Sequence, residues 1–136
     1  MTAPSWQPVA APLTDHFTVI RCDLRGQLLS PGSPPVDVGE HVVDVVEILD
    51  HLGVESVHVL ATSFGGAVGA LVAARHPDRV RSLLSIASAD GFTDVMADEV
   101  ARWREAAVRS LEGPDRGVLS DVLEPVVYSP AYVEAH

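Results

Sequence analysis

Residues 57–71 most constrain how this chain can fold, because they pass from strand to helix within very few residues. A β-branched run ends at Ala61, and a helix-forming run rich in Ala, Val, Gly and Leu follows almost at once. The pattern predicts a strand, a tight turn with Ser63 at its tip, and a helix. Small residues at Ala61 and Gly65 are expected to let the turn close. The Ser63 hydroxyl should then be exposed above the free N–H groups of a helix start.

Strands and helices alternate along the rest of the chain. Asp37 and Glu40 form a capping-box pattern before an amphipathic helix that Gly53 ends. The other predicted elements are strands at 17–22, 56–61 and 80–87 and helices at 64–75, 94–111, 120–127 and 131–136. This order predicts the α/β class, with a parallel sheet of about three strands between flanking helices. The last strand is continuously apolar and should be covered on both faces.

Composition limits the classes of partner. The net charge of −10 argues against nucleic acid and anionic membranes, because both are bound by basic surfaces. The single cysteine, Cys22, allows no internal disulfide and is expected to be a small core residue. No apolar run is long enough to span a bilayer and no signal peptide is visible, so a cytoplasmic location is expected. The glycines at 65, 66 and 69 lack dinucleotide-binding spacing, so no cofactor is predicted, and no metal site is predicted either.

Four motifs follow one another along the chain: the D-x-R-G type loop at 23–30, the run at 50–58, the A-x-S-x-G-G sequence at 61–66, and the run at 74–83. Together and in this order they resemble the α/β-hydrolase superfamily. The third is similar to the G-x-S-x-G nucleophile elbow of the family. The resemblance implies that residues 1–90 form part of a hydrolase core and that residues 91–136 begin a helical cap.

Carried over by position, the resemblance implies that Ser63 is the nucleophile and that the backbone N–H of Phe64 is an oxyanion-hole donor. Asp90 follows the last predicted strand and is a candidate catalytic acid, because some members carry their acid there; the alternative is a turn residue before Gly91. Leu28 stands where the D-x-R-G loop of the family has a glycine, which should change the path of that loop.

The base that would activate Ser63 is not assigned by the sequence. The strand residue His58 is expected to be packed or paired, and four other histidines are expected to lie away from the turn. Those four are His16, His41, His51 and His76. Only His136, the last residue, is expected to be able to swing over Ser63.

The resemblance also implies a full member of about twice this length, so the chain is interpreted as truncated. In the family one strand lies between the strand at 17–22 and the strand at 56–61, so a gap is expected there instead of direct pairing. Unpaired strand edges of this kind would favour self-association.

Three functions remain open at this point. The first is hydrolysis of a small ester, lactone or amide through Ser63. The second is a non-catalytic product, either a truncated pseudoenzyme or a binding module, and the third is a non-hydrolytic reaction of the same superfamily.

Overall fold

The computed structural model describes residues 2–33, 37–89, 91, 93–114 and 117–135. The chain divides into two compact units, Met1–Ala89 and Asp90–His136. No helix among the described residues is both long and apolar enough to cross a membrane. The assignment of the second unit as the start of a cap stays a prediction.

The first unit is built on two parallel strands. Its elements are 3₁₀ turns at Pro4–Trp6, Ala11–Leu13 and Pro77–Arg79, helices α1 (Gln7–Ala10), α2 (Val38–His51) and α3 (Phe64–Arg75), and strands β1 (Val57–Thr62) and β2 (Val80–Ile86). The strands pair from His58 opposite Ser82 to Thr62 opposite Ile86. The predicted α/β class is confirmed, and α3 has the predicted bounds.

Helix α2 begins where the sequence predicts it. The Asp37 carboxylate accepts a hydrogen bond from the Gly39 N–H at 2.7 Å, which satisfies one of the unpaired donors of a helix start. The Glu40 carboxylate lies 3.6 Å from Arg25 Nη1 instead of completing a reciprocal cap. Beyond the helix, Gly53 has a φ of 65°, the left-handed conformation that glycine adopts without strain.

Helix α3 packs against both strands and against α2, so the prediction that it is buried on more than one side is confirmed. A Cβ on Gly69 would lie 3.2 Å from both Leu83 Cδ1 and Val59 Cγ1, which shows how closely the helix approaches the sheet. The core is a cluster of valines from α2 and α3, namely Val42, Val68 and Val72. Burial of each such side chain contributes about 1.5–3 kcal/mol.

The prediction of a sheet strand at residues 17–22 is wrong. Within the described residues, the backbone of 18–22 makes no hydrogen bond to another segment, and the sheet contains only β1 and β2. An extended segment becomes a strand only through such ladder bonds. The expectation that 17–22 does not pair directly with β1 is confirmed, although the Phe17 ring meets the His58 ring edge to face at a centroid distance of 6.0 Å.

The prediction that β2 is covered on both faces is also wrong for the described residues. Leu83 packs against Gly69 of α3, so the alternation of a strand places Leu84 and Ile86 on the opposite face. Those two side chains are 59% and 48% exposed. A parallel sheet is buried on both sides only where helices cover both, and α3 covers one.

The second unit consists of helices α4 (Asp94–Glu112), α5 (Val118–Val127) and α6 (Pro130–Ala135), close to the predicted positions. The Thr93 hydroxyl caps α4 by accepting from the Met96 N–H at 3.3 Å. Helix α4 packs on α5, and the buried Ser110 Oγ accepts from the Leu119 N–H at 2.9 Å.

Candidate active site

A single residue, Ser63, connects β1 to α3. Its φ of 53° and ψ of −128° are unusual for a residue with a side chain and cost about 1–3 kcal/mol, which surrounding bonds must offset. Its N–H donates to the Ile86 carbonyl at 2.9 Å, and its own carbonyl accepts from the Gly66 N–H at 2.9 Å. The turn is therefore tied to the end of β2 and to the first turn of α3, with the serine side chain exposed.

The glycine that this turn requires is not the one expected from the sequence. A Cβ on Gly65 would meet nothing within 4 Å, so the prediction that Gly65 must be small to close the turn is wrong. A Cβ on Gly66 would lie 1.8 Å from Ser88 Oγ and 2.5 Å from Ser85 Oγ. Ala61 is buried, as a residue packed under the helix must be. The close contacts come from the end of β2 and from Ser88 just beyond it, which local sequence cannot reveal.

The start of α3 presents hydrogen-bond donors beside Ser63. The N–H groups of Phe64 and Gly65 donate to no other described residue, and the Ser63 side chain does not cap the helix. Unpaired N–H groups at a helix start carry partial positive charge and attract anions. The arrangement can therefore stabilise negative charge that develops next to the serine oxygen.

His41 lies much nearer to this turn than the sequence suggested. Its ring meets the ring of Phe64 edge to face at a centroid distance of 5.5 Å, so the expectation that His41 lies away from the turn is wrong. The residue is 5% exposed, and its Nδ1 has no hydrogen-bond partner and lies 3.9 Å from Asp44 Oδ2. Its spacing of three from Val38 already placed it on the apolar stripe of α2, a signal that could have identified its burial.

Three other candidate acid or base groups are His58, Asp90 and His136, of which the structure describes only His58. His58 is paired, as expected, because its Nδ1 lies 2.7 Å from Ser82 Oγ. Asp90 and His136 lie outside the described residues. Within the described part of the chain, no side chain forms a hydrogen bond with the Ser63 hydroxyl, and no three His, Cys, Asp or Glu residues are placed to hold a metal ion.

The D-x-R-G loop is fastened to α2 by Arg25. The guanidinium makes a two-point contact with the Asp44 carboxylate, with Nε 3.1 Å from Oδ2, and this contact raises the pKa of Arg25. The Ser30 hydroxyl donates to the Asp23 carbonyl at 2.7 Å and closes the loop. Leu28, in place of the glycine of the family, has a φ of 30°, so the backbone takes a conformation that favours glycine.

Cys22 is exposed, so the prediction of a core cysteine is wrong. It belongs to the segment 17–22, which lacks a neighbouring strand to pack against. Nearby atoms still shield the thiol from part of the solvent, and this desolvation, followed by the charge of Asp23, raises the pKa of Cys22.

Comparison with known proteins identifies the family. Residues 1–125 match the alpha/beta hydrolase fold family. The chain belongs to that family. A hydrolase from Pseudomonas aeruginosa superposes with a TM-score of 0.78 at 30% identity, over 98% of this chain and 49% of that one. MGS-M2, an alpha/beta hydrolase enzyme from a deep-sea metagenome library, superposes with a TM-score of 0.87 at 19% identity, which shows the fold alone.

Curated relatives of this chain include candidate carbamate hydrolases, a fluoroacetate dehalogenase and the acetyltransferase component of an acetoin cleaving system. The candidate carbamate hydrolase RutD of Caulobacter segnis is 33% identical over 90 residues, which cover 62% of this chain and 33% of RutD. A fluoroacetate dehalogenase from a Burkholderia species is 36% identical over 107 residues, or 72% of this chain and 34% of the dehalogenase. The chain thus spans about a third of the length of these relatives and about half of the similar solved structures.

Proposed function

We propose that this alpha/beta hydrolase carries the serine nucleophile of a hydrolase acting on a small ester, lactone or amide. The observation that supports the proposal is the Ser63 turn itself. A strained φ of 53° holds an exposed hydroxyl beside the free N–H groups at the start of α3. Strain of this kind persists only where the surroundings impose it, and it concentrates at functional sites.

The proposed reaction begins when Ser63 Oγ attacks the carbonyl carbon of the substrate. The hydroxyl proton goes to a base, and the carbonyl oxygen becomes an oxyanion that accepts a hydrogen bond from the Phe64 N–H. The tetrahedral intermediate then expels an alcohol or amine, which takes up a proton, and leaves an acyl group on Ser63. Water hydrolyses this ester, which releases the acid and restores the serine.

The relatives support the class of reaction more than the substrate. RutD is named as a candidate carbamate hydrolase and the Burkholderia protein as a fluoroacetate dehalogenase, so both names imply cleavage of a bond at a small molecule. Asp90, directly after the sheet, remains our candidate for the acid that orients the base. A small-molecule substrate, with neither nucleic acid nor membrane as partner, fits the net charge of −10. A cytoplasmic location remains part of the same proposal.

A fluorophosphonate probe tests this proposal directly. An activated serine displaces fluoride from the probe phosphorus, and its proton leaves with the fluoride. We expect mass spectrometry to find the probe on the Ser63 peptide, and Ser63→Ala to abolish labelling. Ser82→Ala is the matched control and should label like the unmodified chain, because Ser82 lies within β2. A folded chain that is not labelled, or labelling that survives in Ser63→Ala, would contradict the proposal.

A binding module is the second candidate. It is favoured by the finding that no described side chain forms a hydrogen bond with the Ser63 hydroxyl. A serine without a base is a weak nucleophile. The two candidates differ in the same experiment, because a binding module would keep the fold and leave Ser63 unlabelled. Non-hydrolytic chemistry of the superfamily would also label Ser63 but release no acid from an ester.

A further inference from the structure

We propose that Ser88 is a positioning residue that sets the direction of the Phe64 N–H, an inference that rests on the proposed function. Ser88 lies two residues after the end of β2, and no sequence motif predicts a role for it. Its hydroxyl donates to the Ser63 carbonyl at 2.9 Å and lies 3.2 Å from the Ile86 carbonyl. Ser88 thus reaches the turn from outside the strand–turn–helix segment.

The carbonyl that Ser88 holds is part of the same peptide unit as the proposed oxyanion donor. The Ser63 C=O and the Phe64 N–H share one planar, trans peptide, so the two groups point in opposite directions. A hydrogen bond that fixes the carbonyl therefore fixes the direction of the N–H as well. An oxyanion donor is effective only when it is directed in advance at the place where charge develops.

The backbone after β2 is shaped to bring Ser88 to this place. Ala87 has a φ of 51°, which is uncommon for a residue with a side chain. The residue before it, Ile86, accepts the Ser63 N–H at 2.9 Å. The backbone thus changes direction at Ala87, directly after the carbonyl that binds the Ser63 N–H. This change of direction allows Ser88 to donate a hydrogen bond back to the Ser63 carbonyl.

Gly66 provides the space for this contact. A Cβ on Gly66 would lie 1.8 Å from Ser88 Oγ and 2.7 Å from Ser88 Cβ, so the Ser88 side chain fills the position that the glycine leaves open. The Gly66 N–H also donates to the Ser63 carbonyl at 2.9 Å. With the Ala67 N–H, which donates to it at 3.4 Å, three donors therefore hold this carbonyl, two from the helix and one from Ser88.

The size of the expected effect follows from this redundancy. Loss of Ser88 would leave the Gly66 bond in place, and Ser88 is exposed, so water can take over part of its role. We expect Ser88→Ala to lower the maximal rate of fluorophosphonate labelling at Ser63 roughly three- to tenfold, within the range of one hydrogen bond. The probe concentration that gives half-maximal rate should change less than twofold, because Ser88 does not touch the probe.

Two further variants separate positioning from a general loss of structure. Ser88→Thr keeps the hydroxyl and should restore most of the labelling rate. Ser85→Ala removes a neighbouring hydroxyl, which lies 2.5 Å from the point that a Cβ on Gly66 would occupy but bonds to no part of the turn, and should label normally. Equal labelling of Ser88→Ala and the unmodified chain would overturn the proposal, as would an equal loss in Ser85→Ala.

A measurement without any probe separates this inference from the proposed function. In the ¹⁵N-labelled chain, Ser88→Ala should shift the amide resonance of Phe64 and speed hydrogen exchange at Gly66, whereas Ser85→Ala should not. If Ser63 is never labelled but these changes are seen, the proposed function fails and the contact to the turn stands. If the amide signals of Phe64 and Gly66 do not change in Ser88→Ala, the positioning role fails whatever the probe shows.

Discussion

Two serines, Ser63 directly after β1 and Ser82 within β2, each have only one of the two features that a nucleophilic serine needs, a base and donors for the oxyanion. Ser82 has a histidine, His58, with Nδ1 2.7 Å from its hydroxyl, but it lies within β2 and has no helix start beside it. Ser63 has no such base within the described residues, but it occupies a strained turn beside the free N–H groups of α3.

The contrast teaches that proximity of serine and histidine is a poor guide to an active site. A mid-strand serine has its neighbouring backbone N–H groups directed along the sheet plane to other strands. These N–H groups lie in the plane of the sheet, so they are not directed at the place above the strand where the oxyanion of a tetrahedral intermediate would form. Donors for that charge account for a large part of the rate in serine hydrolases and retain some catalysis even without a base. We therefore expect Ser63, and not the paired Ser82, to react.

Gly66→Ala should have the largest effect on the difference in reactivity between Ser63 and Ser82. The new Cβ would overlap Ser88 Oγ and Ser85 Oγ, so the turn must move, at a cost of about 1–3 kcal/mol in the free energy of unfolding. Labelling of Ser63 should fall by roughly a hundredfold, in line with loss of an oxyanion donor. Denaturant unfolding and labelling rates measure the two effects.

The matched control is Gly65→Ala, one residue earlier in the same helix. A Cβ there meets nothing within 4 Å, so the stability should rise slightly through the better helix propensity of alanine. Equal damage from both substitutions would mean that any methyl group near Ser63 disturbs the turn, and the specific role of Gly66 would be lost.

His41→Leu tests whether the buried His41 acts as the base for Ser63. The buried Nδ1 of His41 has no partner, and an unsatisfied group of this kind costs about 1–3 kcal/mol, whereas the lost edge-to-face contact with Phe64 is worth about 0.5–1.5 kcal/mol. The larger effect wins, so the free energy of unfolding should rise by about 1 kcal/mol. Denaturant unfolding measures it.

Labelling of Ser63 in His41→Leu should stay within twofold of the unmodified chain, because His41 contacts the Phe64 ring and not the Ser63 hydroxyl. A loss of more than tenfold would identify His41 as the base. Ser63 would then have a histidine partner, as Ser82 does, and the two serines would no longer differ in this respect. His51→Leu, at the other end of α2, is the control for the effect of removing a histidine from this helix.

The features predicted well from sequence are those that a few neighbouring residues determine. The Asp37 cap, the left-handed Gly53 and the bounds of α3 depend on local propensity and capping, and they are where the sequence places them. The tight turn at Ser63 is of the same kind, because an abrupt change from a β-branched run to a helix-forming run leaves room for little else.

The features predicted poorly depend on what comes near in space. Residues 17–22 have strand composition but no neighbour to bond, so propensity alone misled. His41 meets Phe64 only because α2 packs on α3, and Gly66 is constrained only because Ser88 returns to the turn. No local pattern contains these contacts, which is why the sequence pointed to Gly65 in place of Gly66.

Cys22 offers the smallest test, as a third nucleophile to compare with the two serines. Desolvation first, and then the adjacent Asp23 carboxylate, raise the pKa of its thiol, so less thiolate is present at a given pH than in a free thiol. The rate of iodoacetamide alkylation should therefore reach its midpoint at a higher pH than that of a small-molecule thiol. Asp23→Asn removes only the second cause and keeps an oxygen for the Ala3 N–H, so the midpoint should fall but stay above that of the free thiol. Asp78→Asn, which does not act on this thiol, should leave the midpoint unchanged. A midpoint at or below that of the free thiol would contradict this prediction. Cys22 would then be an activated nucleophile like the one proposed at Ser63, although it lies at no helix start.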